Sequence, residues 1–458
     1  MLSFKLGIPT LLLCFLSSAV FTAENQTATP AKKRPAPAFV SVKDKNFLLG
    51  DEPYHLIGTN MWYAPQIGSP SARAGSRIRL LREIKNLKAL GVTNVRLLGI
   101  SEESTVDNAV AASLVKSNGE LNEDMLRGLD FTMSVLYQHK IKAVIYLGNF
   151  WEWSGGMSSY VSWSKSGDQK NIPDPDSPEF AAYAAQFYSD EKAIEKYNGV
   201  IKQILNRKNR VTRRLYKEDP FIMAWELSNA PRPGLDNKNL PAYYEWIKNT
   251  TALIKSIDKN HLVTLGSEGT IGCLDMEECV INAHKDTGVD YMTFHLRPID
   301  WGWMDINAPE KTYDAATKKA ADYIEQHIKL ADKLDMPLVL EDFAFSRDAG
   351  KYGRRTRVDY RNQFYTFVYS KVEESMKNQR ALVGSNFWSW GGVGQAEHGD
   401  GKWRDGDYLY TGDTPREPQG VNSVFDSDAA TLRVIRRHQR SITSVDDKET
   451  VAQNKATQ

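Results

Sequence analysis

Cysteine is scarce in this chain, with three in 458 residues. That excludes a disulfide-built scaffold, and no residue cluster has the spacing of a metal site. Excess charge is missing as well. A net charge of +1 gives no basic field for nucleic acid or an anionic membrane surface. There is no long hydrophobic run: the apolar stretch around Leu11–Leu16 is too short and interrupted to span a bilayer. No internal repeat is found, and no glycine-rich phosphate loop follows the first strand, which argues against a doubly wound dinucleotide-binding sheet. What remains is ordinary globular material, 41% hydrophobic and 25% charged. It is enriched in flat rings with polar edges, 11 Trp and 20 Tyr, which suit stacking on sugar faces.

The N-terminus has the order of a secretory signal over residues 1–23: Lys5, the apolar stretch, then small residues at Ser17-Ser18-Ala19. Export is expected. Residues 24–38 (ENQTATPAKKRPAPA) read as a disordered linker, residues 39–442 as the folded domain, and residues 443–458 as a polar tail. Asn25 and Asn249 head glycosylation sequons. Cys273 and Cys279, close together in one loop, form a disulfide or remain two free thiols.

From Phe39 onward, short apolar runs alternate with amphipathic stretches. One helix is predicted over Arg77–Leu90, with Leu81, Ile84, Leu87 and Leu90 as its apolar stripe and Gly91 as its stop. A terminal helix is predicted over Ala429–Arg440. Strands are predicted at His55–Thr59, Val92–Leu98, Ala143–Leu147, Phe221–Glu226, Leu262–Leu265, Tyr291–Phe294, Leu338–Leu340 and Gly384–Phe387. Eight strand-then-helix units in one chain are the arithmetic of a single (β/α)8 TIM barrel.

Such a barrel presents its active site at the C-terminal ends of the strands. Those ends carry Trp62, then Arg96, then Asn149 with Trp151, Glu152 and Trp153. They continue with Asn229 and Ala230, Glu268, His295 with Trp301 and Trp303, Glu341, and Trp388. Donors, acceptors and rings converging on one face are what a sugar cleft requires.

The segments GTNMWY (58–63), NFWEWSGGM (149–157) and WELSNAPRPG (225–234) are motifs, as are GSEG (266–269), FHLRPIDWGW (294–303) and LVLEDFAFSRD (338–348). NFWSWGG (386–392), GDTPREPQG (412–420) and VFDSD (424–428) follow in the same order. Together they resemble glycoside hydrolase family 5, in its β-mannan-active branch, over roughly Phe39–Ile435. The resemblance implies a retaining hydrolase of β-mannosidic bonds, without cofactor or metal and acting as a monomer on β-mannan or manno-oligosaccharides. It makes Glu341 the nucleophile, held ionised by Arg96, and has Asn229 bind the sugar 2-hydroxyl with His295 in support. It makes Trp388 the floor of the −1 subsite, and Trp62, Trp151, Trp153, Trp301 and Trp303 stacking platforms.

The family places its acid/base glutamate after the motif asparagine; here that position is Ala230. Glu226 is four residues earlier, about 13 Å down the strand at about 3.3 Å per residue, too deep to substitute. Glu268 is on the right face but reads as a structural or subsite residue. Two further departures are Arg297, where relatives carry an aromatic residue, and Asp342-Phe343-Ala344 after the nucleophile. Arg297 either pairs with Asp300 or puts a positive charge into the cleft. Three readings stay open: a hydrolase with an unidentified proton donor, an inactive mannan-binding relative, and a glycosyl-transferring enzyme. Ala230 itself is either a natural loss or an introduced substitution. Exo-action requires a blocked cleft, for which the segment Gly391–Gly420 is the candidate barrier.

Overall fold

A computed structural model describes residues 37–71, 75–165 and 172–456, with side chains of the last helix described to residue 444. The expected signal, most of the linker and the sequon at Asn25 lie outside the described residues.

Eight parallel strands make the central sheet: β1 (Leu56–Asn60), β2 (Asn94–Leu98), β3 (Lys142–Tyr146), β4 (Ile222–Glu226), β5 (Leu262–Thr264), β6 (Met292–Leu296), β7 (Leu338–Phe343) and β8 (Leu382–Phe387). Their spatial order, β5-β4-β3-β2-β1-β8-β7-β6, closes through a parallel bridge between Thr264 and Tyr291. This is a (β/α)8 barrel. Every residue of these strands is buried, which explains why they read as continuous rather than alternating apolar runs.

Helix boundaries follow local chemistry. The Asn122 side chain accepts from Asp124 N to cap Glu123–His139, and Asp190 accepts from Ala193 N to cap Glu191–Leu205. Gly91, at φ +86°, ends Arg77–Leu90 in the left-handed conformation that glycine adopts without penalty. The stripe of that helix differs from the expected one. Leu81 is 41% exposed, while Leu80 and Glu83 turn inward with Ile84, Leu87 and Leu90. Glu83 is fixed there by accepting from Trp390 Nε1 and Val393 N, so polar partners overrode the apolar pattern.

An unanticipated hairpin, Val40–Lys43 with Asn46–Leu49, lies against the N-terminal ends of the strands. Val40 and Phe47 pack there with Leu56, Met223, Tyr291, Val339 and Val383, closing the face opposite the site. The last helix runs over Ala429–Ala456, past the expected end at Arg440 and into the polar tail; no Pro or Gly interrupts it. Trp390–Gly392 pairs with Val424–Phe425 and ties off the long excursion after β8. Cys273 and Cys279 form a disulfide.

Candidate active site

A cleft of about 340 Å³ opens at the C-terminal ends of the strands. Its lining takes Trp151, Glu152 and Trp153 from the loop after β3, and Asn229, Ala230 and Arg232 from the turn after β4. Glu268, His295, Arg297, Asp300, Trp301, Asp342, Trp388, Thr414, Arg416 and Glu417 complete the lining.

Beneath it lies Arg96, fully buried on β2. A buried guanidinium is tolerable only if its fork is satisfied, and here it is. Nε and Nη2 donate to Glu226 Oε2 and Oε1 at 2.8 and 2.6 Å, Nη1 to Asn60 Oδ1 at 2.9 Å, and Nη2 also to Asn229 Oδ1 at 2.9 Å. Glu341 Oε2 is 3.6 Å from Nε. One cation therefore serves two carboxylates. Burial opposes the Arg96 charge, but Glu226 and Glu341 outweigh it and hold the guanidinium protonated far above its usual range. The strain falls on Glu226. Its carboxyl is pushed up to about 8, first by burial and then by Glu341, with Arg96 opposing. We take the upward direction as governing, because a single guanidinium cannot neutralise two fully desolvated carboxylates. The rise along the strand suggested that Glu226 is remote from the chemistry. It is absent from the cleft wall, but the guanidinium that it holds is 3.6 Å from Glu341 Oε2.

The same network orients the other groups. Asn229 Nδ2 donates to Asn149 Oδ1 at 3.0 Å, and Asn60 Nδ2 donates to the Glu341 carbonyl at 2.8 Å. Glu341, 1% exposed, points Oε1 to within 3.5 Å of His295 Nε2. Neither of those two atoms has a hydrogen-bond partner among the described residues.

Ala230 is in the cleft wall with φ +50°, and its N–H donates to Gly266 O at 2.9 Å. Its methyl group can neither give nor take a proton. Glu268 does not replace it. Arg232 grips both its oxygens, at 2.5 and 2.9 Å, and overrides the upward pull of burial to hold the carboxyl below its usual range. Glu152, which sequence reasoning left unplaced, lines the cleft with its carboxyl pushed up by burial against the opposing charge of Arg416, 3.3 Å away.

The aromatic residues divide. Trp151, Trp153, Trp301 and Trp388 line the cleft. Trp62 does not: it is fully buried, donates through Nε1 to Gly412 O at 2.8 Å, and packs on Trp153 and Tyr410. Trp303 also faces elsewhere, touching Trp301 and Tyr323 beside a groove along the helix Pro309–Leu334. Both expected platforms are therefore packing residues as far as this cleft is concerned. Arg232, Arg416, Glu417 and Thr414 were missed as cleft residues. The available signals were two motifs already noted, the Pro-Arg of WELSNAPRPG for Arg232 and GDTPREPQG for Thr414, Arg416 and Glu417.

A barrel whose cleft is lined by Asn229, His295, several carboxylates and four tryptophans, with Glu341 of β7 within 3.5 Å of His295, has the architecture of a glycosidase. The chain belongs to glycoside hydrolase family 5: the profile described as "GH family 5 beta-mannosidase-like" matches residues 37–447. A family 5 mannosidase from Rhizomucor miehei is 30% identical with a TM-score of 0.82, over 90% of this chain and 99% of that one. A Glu-to-Ala mutant of it is described in complex with mannosyl-fructose. Mannan endo-1,4-beta-mannosidase 7 of Arabidopsis thaliana is 29% identical over 424 residues, 90% of this chain and 87% of the relative. An endo-1,4-beta-mannanase from Rhizomucor miehei, 22% identical with a TM-score of 0.65, covering 89% of this chain and 100% of its own, shares the fold.

Proposed function

We propose that this protein is a β-mannan-directed member of the retaining type that keeps its nucleophile and has lost its acid/base. The observation that supports the proposal is Ala230 in a cleft that Asn229 and His295 also line; Glu341, outside that lining, is 3.6 Å from Arg96 and 3.5 Å from His295, and Asn229 is held by Arg96 and Asn149. Glu341 attacks the anomeric carbon, and the leaving oxygen departs with the bonding electrons. Retaining enzymes supply a proton there from a second carboxyl about 5–5.5 Å from the first. Glu268 is held ionised by Arg232, so it supplies none near neutral pH. Turnover of unactivated mannosides is therefore slow, while stacking on Trp151, Trp153 and Trp301 still binds manno-oligosaccharides. The Rhizomucor mannosidase binds mannosyl-fructose with one of its glutamates replaced by alanine, which supports binding by a cleft that lacks a carboxyl. The signal-like N-terminus and the Cys273–Cys279 disulfide support an exported protein.

The test pairs 2,4-dinitrophenyl β-mannoside with mannohexaose, with and without azide. The activated leaving group needs no acid, and azide replaces base-activated water on the glycosyl-enzyme. Mannosyl azide with mannohexaose untouched is the expected result. Brisk mannohexaose cleavage would overturn the assignment and point to another donor, Glu152 before Glu268. A second reading, a binding protein without chemistry, is favoured by the same alanine. It requires mannohexaose binding with neither substrate turned over.

A further inference from the structure

Arg297 lines the cleft next to Trp388. Its Nε donates to Asp342 Oδ1 at 3.1 Å, and Nη1 donates to Asp300 Oδ2 at 2.7 Å and to Glu417 Oε1 at 3.0 Å. The guanidinium carbon is 5.0 Å from the centroid of the Trp388 ring, over its face. Trp388 is only 2% exposed, and its Nε1 donates to Glu417 Oε2 at 3.1 Å. Glu417 is itself held by Thr414 N and Asn422 Nδ2. Ring, cation and carboxylate thus form one closed assembly reaching from β6 to the excursion after β8. Asp300, its side chain 43% exposed, completes the cage from the loop after β6.

We infer that Arg297 is a specificity-determining strap: it covers the face of Trp388 in the cleft, and a sugar must displace it to stack on that ring. The inference rests on the proposal that Glu341 is the nucleophile of a mannoside-binding cleft. A pyranose and a guanidinium cannot occupy the same ring face. The strap does not recruit an anionic sugar, because Asp342, Asp300 and Glu417 surround its one positive charge. Its effect is subtractive. Oligosaccharides held by Trp151 and Trp301 bind without moving it, whereas a ligand confined to the innermost subsite meets a covered ring face.

Two measurements test this on the full chain carrying Arg297→Ala, with Arg297→Lys as a variant that keeps a charge among the three carboxylates if alanine fails to fold. Hydroxyl-radical footprinting read at Trp388 needs no sugar. The strap requires oxidation to rise about fivefold in the alanine variant, and less in the lysine variant. Unchanged oxidation overturns the inference. Covalent labelling of Glu341 by 2-deoxy-2-fluoro-β-mannosyl fluoride needs no acid/base and reads entry to the innermost subsite. It is expected to accelerate about tenfold, the equivalent of one released cation–π contact. Slower labelling in the variants overturns the strap by showing that the guanidinium assists the sugar. Raised Trp388 oxidation with no labelling of any form supports the covering and refutes Glu341 as the nucleophile, so the two ideas fail separately.

Discussion

Ala230→Glu tests the missing carboxyl directly. The backbone at Ala230 is already left-handed, φ +50°, a conformation costing a residue with a Cβ about 1–2 kcal/mol. Alanine bears that cost, so glutamate adds none of it. The turn is built from backbone bonds, Ala230 N to Gly266 O and Asn229 N to Gly148 O, both 2.9 Å, which the side chain does not enter. The new carboxyl would project from the cleft wall, and Arg232, already engaged by Glu268, is the nearest cation in sequence. Restoring a positioned general acid returns about 10²–10⁴-fold, or about 2.7–5.4 kcal/mol of barrier at 1.36 kcal/mol per tenfold. The readout is kcat/KM on mannohexaose, with rates on the dinitrophenyl mannoside beside it. Azide acceleration on the activated substrate should disappear, because deglycosylation regains its base. Ala230→Asp, shorter by one carbon–carbon bond of about 1.5 Å, should recover less than about tenfold. A folded Ala230→Glu protein that stays inert on mannohexaose, even when combined with Arg297→Ala, would refute the reasoning.

Glu226→Gln is expected to change the pH dependence of stability. The carboxyl titrates near 4.5 unfolded and about 8 folded, so between those values the native state holds the extra proton and stability falls as pH rises. The slope is at most about 1.4 kcal/mol per pH unit. Urea melts at pH 5 and pH 8 should show a flatter dependence in the glutamine variant; an unchanged slope would remove Glu226 as its source. Trp62→Phe should cost about 1–3 kcal/mol through lost packing and the bond to Gly412 O, with mannohexaose affinity unchanged. Trp151→Ala should weaken that affinity about tenfold with a smaller loss of stability. Calorimetric titration beside thermal melts separates the two, and the reverse pattern would return Trp62 to the cleft.

The barrel was legible because buried parallel strands are continuous apolar runs that alternate with amphipathic stretches. What stayed hidden was contact across long stretches of chain. Trp62 ends a strand as a sugar platform would, but its indole is claimed by Gly412, 350 residues away. Arg297 finds Asp300 locally and Glu417 at a separation of 120 residues. Counting strand rise placed Glu226 far from the chemistry because it measured the chain along β4. Arg96 reaches Glu226 from β2 and brings the two carboxylates together. Local sequence carried no sign of that triangle beyond a charged residue inside each of three apolar strands.

The same geometry explains how a catalytic carboxyl can be absent while the cleft persists. Asn229 is held by Arg96 and Asn149, and Phe150 N donates to Asn229 O at 3.0 Å, locking the ends of β3 and β4 together. Gly266, at φ +84°, passes so close beneath that a Cβ there would lie 1.9 Å from Ser228 O, which leaves the turn no freedom to relax into the space of a shortened side chain. None of these restraints uses the side chain at position 230. Loss of the acid therefore removes proton transfer without loosening the residues that bind and orient a sugar. On the proposed function, binding and turnover are separable at this one position.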